Sequence, residues 1–176
     1  VEKTAAGWGT PVPIDTTVSK SREFGHSISG NGTFYFSSPG DGKDMNIYKA
    51  EKTNTGYATP VMLPDGVNTS GYEDGPCISP DEDFLIFEST RPEGIEGSHD
   101  LYIAFKTKDD EWGTPKNMGP KINSAGMERF PRLSPDGKYF FFASNRDQSE
   151  GKVGFDIYWI DAMVIEELRG AKEPVQ

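Results

Sequence analysis

The sequence repeats itself, and the repeat restricts the possible folds more than any other feature it carries. Three blocks join a serine to a turn and an apolar run: Ile28-Ser29-Gly30-Asn31-Gly32, Ile78-Ser79-Pro80-Asp81-Glu82 and Leu133-Ser134-Pro135-Asp136-Gly137. A second landmark follows each block, at Asn46-Ile47-Tyr48, Asp100-Leu101-Tyr102 and Asp156-Ile157-Tyr158. A third is an aromatic residue ahead of Thr-Pro, in Trp8-Gly9-Thr10-Pro11, Tyr57-Ala58-Thr59-Pro60 and Trp112-Gly113-Thr114-Pro115. A glutamate, Glu23, Glu73 or Glu128, stands six residues before each block's serine. Four landmarks in constant order, at a period of roughly 50 residues, describe one supersecondary unit used about three times.

Each unit reads as four short antiparallel strands. The stretch from each glutamate to its serine is the first. Phe34-Tyr35-Phe36, Phe84-Leu85-Ile86-Phe87 and Tyr139-Phe140-Phe141-Phe142 are second strands, apolar without interruption, as expected of strands covered on both faces. The Ile-Tyr segments are third strands. The aromatic-Thr-Pro segments are fourth, at the sheet edge, where the N–H that proline lacks is not needed. The 20 glycines and 13 prolines, beside 12% aromatic residues, fit short strands joined by turns and disfavour a helical bundle. Four strands per unit at this period predict an all-β chain of β-propeller blades.

The predicted organisation is blades over 1–161 and a partly helical tail over 162–176. Within the first span, residues 1–14 are the last strands of a preceding or partner blade, 15–63 and 64–118 are blades, and 119–161 is a blade without its outer strand. Val1 to Trp8 parallels Ala50 to Tyr57, so the chain opens inside a third strand. About three blades' worth is too little to close a ring, since propellers typically have about 4 to 8 blades. Two expectations follow: an upstream half completes the ring, or two copies pair about a two-fold axis, each lending its segment near Trp8 to the other's last blade, to give six blades.

Charge narrows the partners. With 18 basic and 28 acidic residues the net charge is −10, so nucleic acid and anionic membrane would meet repulsion. No apolar run approaches the roughly 18 residues of a membrane-spanning helix. A single cysteine, Cys77, excludes an intramolecular disulfide and reads as a small buried hydrophobe. The enzyme signatures considered are missing: there is no Gly-x-Ser-x-Gly elbow, and the two histidines, His26 and His99, make no His-Glu-x-x-His motif.

The blocks resemble the TolB-type β-propeller repeat of bacterial envelope proteins. Pro131 to Lys138, Ser144-Asn145-Arg146 and Asp156-Ile157-Tyr158 match that pattern closely, and Pro76, Ser79-Pro80-Asp81, Ser89-Thr90-Arg91 and Asp100-Leu101-Tyr102 match it with Glu82 in place of glycine. The first repeat departs most, with Gly30-Asn31-Gly32 at the turn, Pro39 where the arginine is expected and Asn46 for aspartate. Trp112-Gly113-Thr114-Pro115 and Ile122-Asn123-Ser124 resemble a signature that accompanies such blades in envelope proteins. The resemblance implies a six-bladed ring, a periplasmic or extracellular location, and binding of a protein, peptide or glycan without catalysis. The alternative reading is a propeller enzyme, a glycoside hydrolase or lyase or the propeller part of a peptidase.

The candidate ligand-binding residues are Glu23, His26, Glu73, Asp74, Glu128 and Arg129, at the start of the innermost strands near the axis. Carboxylates at equivalent places could gather Ca²⁺ or a cationic peptide, although no cofactor is required, or each could cap its own blade-linking loop. The positions that break the repeat, Phe24-Gly25-His26, Asp74-Gly75-Pro76 and Arg129-Phe130-Pro131, are better placed for a ligand, because ligand sites depart from repeat symmetry. The turns holding Asp81 and Asp136 read as structural. Arg91 with Asp100 and Arg146 with Asp156 are expected ion pairs between neighbouring strands. The loops Pro92 to His99 and Gln148 to Phe155 are expected partner contacts.

Overall fold

In the computed structural model, which describes residues 3–5, 7–94, 99–147 and 154–170, the repeat becomes three successive antiparallel sheets. A hairpin of β1 (Lys3–Thr4) and β2 (Gly7–Trp8) precedes them. Blade one is β3 (Phe24–Ile28), β4 (Phe34–Ser38), β5 (Asn46–Ala50) and β6 (Val61–Met62); blade two is β7 (Glu73–Ile78), β8 (Phe84–Ser89), β9 (Asp100–Phe105) and β10 (Lys116–Asn117). Blade three has three strands, β11 (Glu128–Leu133), β12 (Tyr139–Ser144) and β13 (Asp156–Asp161). Each strand pairs with the next in sequence, the meander that short turns allow. Most of the two loops expected to meet a partner, at 95–98 and 148–153, lies outside the described residues.

The three blades share one register. Phe36 lies opposite Tyr48, Phe87 opposite Tyr102 and Phe142 opposite Tyr158. The outer strands are shorter and start later than the sequence suggests: β6 and β10 begin only after Pro60 and Pro115. A proline donates no ladder bond, and the aromatic ahead of it makes just an isolated bridge, Tyr57 to Lys52 and Trp112 to Lys106, whereas Trp8 pairs with Lys3 within the short β1–β2 ladder. Each inner strand also carries a bulge, and there Gly25, Gly75 and Phe130 have φ of 30°, 59° and 56°. A Cβ on Gly25 would fall 2.7 Å from the Gly75 backbone, so glycine lets blades one and two approach at this point.

Packing explains the uninterrupted apolar runs. Leu85 and Phe87 of β8 join the cluster with Tyr35 and Ile47 of blade one, while Ile86, between them, joins Phe140 and Phe142 of blade three. Both faces of blade two are thus covered, each buried large side chain contributing about 1.5–3 kcal/mol. In blade three only one face is covered: Phe140 and Phe142 are buried, but Tyr139, Ile157 and Trp159 are exposed, Ile157 at 79%. The expectation that the whole third run is buried is corrected accordingly, because among the described residues nothing packs on that second face. Helix α1 (Met163–Gly170) begins where Asp161 Oδ1 accepts the Met163 N–H at 2.9 Å, and it inserts Val164 and Ile165 into the cluster between blades two and three. Among the described residues no helix is long and apolar enough to cross a membrane.

Candidate functional site

The inner-strand glutamates meet different fates. Glu73 is fully buried and accepts bonds from the Thr69 N–H (2.9 Å), the Thr69 hydroxyl (2.7 Å) and the Ser89 hydroxyl (2.8 Å), with Arg91 Nη2 at 3.7 Å. Glu128 repeats the arrangement with the Ser124 N–H (2.9 Å), the hydroxyls of Ser124 and Ser144 (2.6 Å each) and Arg146 Nη2 (3.3 Å). A carboxylate withdrawn from water needs this many donors, and here the repeat itself supplies them. Glu23 is half-buried, and its Oε1 accepts the N–H groups of Lys20 (3.1 Å) and Ser21 (2.6 Å).

The arginine partners differ from those expected. Among the described residues, the carboxylates facing Arg91 and Arg146 are Glu73 and Glu128, while Asp100 Oδ2 accepts from Asn117 Nδ2 at 2.7 Å. Each guanidinium lies over the two aromatic rings of its own blade. Arg91 Cζ is 5.2 Å from the Phe87 centroid and 4.6 Å from that of Tyr102; for Arg146 the distances to Phe142 and Tyr158 are 5.2 and 4.8 Å. Burial pulls the Arg91 guanidinium below its ordinary value, and Glu73 works against that shift.

At the junction of the blades, Asp74 and Arg129 do come together. Arg129 Nε donates to Glu88 Oε2 at 2.8 Å, and its Nη2 is 3.6 Å from Asp74 Oδ2. The Phe130 N–H donates to Glu88 Oε1 at 2.8 Å, and the Ser37 hydroxyl of blade one donates to Asp74. One polar network therefore runs through all three blades. Burial pushes the Glu88 carboxyl above its ordinary value against the Phe130 N–H and Arg129. Burial also acts to lower Arg129, but Glu88 and Asp74 outweigh it and hold the guanidinium above its ordinary value. Glu88 is the member that sequence reasoning missed; its signal is a carboxylate closing the apolar run Phe84 to Phe87.

His26 does not join this network. It is exposed and stacks on Phe34, with ring centroids 5.9 Å apart. His99, not singled out as a ligand residue, is half-buried with its ring edge-on to Tyr72, and burial together with Arg129 lowers its pKa. Cys77 is buried, and burial raises its thiol pKa. Among the described residues no group of three or more His, Cys, Asp or Glu side chains could hold a metal ion.

No protein-family model and no curated protein matches the sequence. Among solved structures, a chain assigned as TolB from Agrobacterium tumefaciens is similar, with a TM-score of 0.57 and 19% identity, over 82% of this chain and 47% of that one. This chain thus spans about half the length of that neighbour. The likeness is one of fold: an all-β, TolB-like arrangement of antiparallel blades.

Proposed function

We propose that the chain is a non-catalytic binding module of the bacterial envelope, periplasmic or extracellular, that meets a protein, peptide or glycan with the starts of its inner strands. The observation that carries this reading is the commitment of the buried carboxylates. Glu73, Glu128 and Glu88 are each held by several donors inside the protein, which makes them supports of a rigid frame. What that frame turns outward is suited to recognition: Phe24 and Phe130, both about half exposed, the exposed His26 and the half-buried Arg129. The net charge of −10 directs the module away from nucleic acid. The reading requires no cofactor. Ring closure belongs to the same proposal, with the edge of β13, unpaired among the described residues, taking an outer strand from a second copy.

A photoreactive amino acid in place of His26, combined with cross-linking in an envelope fraction, tests the module. The expected result is a discrete cross-linked partner that is lost in Phe24→Ala, a half-exposed side chain outside the buried network, while the melting temperature stays within a few degrees of the parent. Turnover on a panel of glycans or peptides that disappears in Asp74→Asn would replace this reading with the enzyme alternative.

A further inference from the structure

The arginine clamps of blades two and three have an unfilled counterpart in blade one. In the two later blades the clamp is built the same way. The guanidinium lies over the facing aromatic pair, its Nε donates to a serine (Ser89 at 2.9 Å, Ser144 at 3.0 Å), and its far nitrogen reaches the inner-strand glutamate and a carbonyl of the blade-linking loop, Val67 or Ile122. Blade one keeps every wall of this site. Phe36 and Tyr48 are stacked at 5.8 Å and 21°, matching Phe142 and Tyr158 at 5.8 Å and 21°. Ser38 lies opposite Asn46 as Ser89 lies opposite Asp100, Glu23 precedes β3 as the sequence repeat requires, and the loop ahead of it carries the buried Val18, whose carbonyl accepts the Lys20 N–H at 3.0 Å.

Only the arginine is missing. The Gly40 N–H donates to Ser38 Oγ at 3.1 Å, as the N–H of Arg91 and that of Arg146 donate to Ser89 and Ser144 at 3.2 and 3.1 Å. Gly40 therefore takes the arginine's place in this hydrogen bond, one residue after the Pro39 to which the sequence pattern assigns it, with a left-handed backbone (φ 52°) against which the Tyr48 hydroxyl lies. A cleft of about 350 Å³ opens there, lined by Val18, Glu23, Phe36, Ser38, Gly40 and Tyr48, with Lys20 and Asp41 also on its wall. Among the described residues, the hydrogen bonds of Glu23 all go to Oε1, which leaves Oε2 for a ligand.

We propose that this cleft is a guanidinium-binding slot, taking from a ligand the group that the other two blades supply from their own chain. A planar guanidinium fits paired aromatic rings and presents its donors as a fork to the serine and the carboxylate, whereas a lysine ammonium is a compact, strongly hydrated charge. The ligand is an arginine side chain of a peptide or protein, or a free guanidino compound. The proposal goes beyond the binding-module reading, because it rests on blade one alone and not on the junction around Arg129.

The test is a titration of the full ¹⁵N-labelled chain with acetyl-Gly-Arg-Gly-amide, free arginine, the matching lysine peptide and the citrulline peptide. The arginine peptide is expected to shift the amides of Ser38, Gly40 and Tyr48 saturably. The lysine peptide should bind at least fivefold more weakly, and the neutral citrulline peptide should not bind. Glu23→Gln should weaken arginine binding at least tenfold, and Tyr48→Leu provides the same test should the first variant fold poorly. Glu51→Gln, at an exposed carboxylate of blade one, should change nothing. Tighter binding of the peptide than of free arginine identifies a protein side chain as the ligand, and equal binding identifies a small guanidino compound. Shifts absent from the cleft, equal affinity for lysine, or unchanged binding by both variants would overturn the slot while leaving the binding-module reading standing.

Discussion

Blade one and blade two are folded on the same register and held together differently. In blade two a buried carboxylate, two hydroxyls and a guanidinium over two rings lock the inner strand, the second strand and the loop ahead of them. In blade one the aromatic pair, the serine and the glutamate are all present, but glycine takes the arginine's place and, among the described residues, the glutamate is tied to loop N–H groups alone. Removing one long side chain from a repeated unit thus leaves the sheet intact and turns a structural clamp into a cleft. This is the route by which a repeat with fixed architecture acquires a site: the scaffold is common to all units, and the opening belongs to one.

The comparison breaks most sharply at the glutamates. Glu73→Ala leaves Arg91 and the Thr69 and Ser89 hydroxyls without their buried acceptor and should cost about 3–5 kcal/mol in urea unfolding. Glu23→Ala should cost no more than about 1 kcal/mol, the worth of ordinary hydrogen bonds at a half-exposed site. Equal losses would mean that the two blades are locked alike. Arg91→Ala should come next, at about 3 kcal/mol, because it strands Glu73 and empties the space over Phe87 and Tyr102; an unchanged melting temperature would remove the clamp from the account.

The smallest effect is one of pH. The folded state holds the Glu88 proton more tightly than the unfolded chain does, so this group's contribution to stability is present at low pH. It is lost as pH rises from the ordinary carboxylate value of about 4.3 through the higher folded value. Melting temperatures measured across that range should show a shallower decline in Glu88→Gln than in the parent; parallel curves would show that Glu88 carries no such linkage.

Much of the frame was legible because it is periodic. The positions of the inner, second and third strands follow from the glutamate, the Ser turn and the Ile-Tyr landmark, since strand period and turn chemistry are local properties. The clamp was not legible in the same way. Adjacent strands suggest a pair between Arg91 and Asp100, whereas in space Arg91 folds back onto its own blade's rings and reaches Glu73. The vacancy at Gly40 was displaced by one residue, because the bond from Gly40 N–H to Ser38 that sets the register cannot be read from Ser37-Ser38-Pro39-Gly40. Phe130 shows the limit in another form. Its left-handed backbone is announced by glycine at Gly25 and Gly75, but the third repeat places a phenylalanine there, held by the bond from its N–H to Glu88.

Residue-resolved hydrogen exchange tests the difference between the blades most directly. The facing amides around Phe36 and Tyr48 in blade one should open at lower free energy than those around Phe87 and Tyr102 in blade two, and saturating arginine peptide should slow exchange in blade one alone. Equal protection of the two blades, with no response to the peptide, would contradict the claim that one is clamped and the other is open.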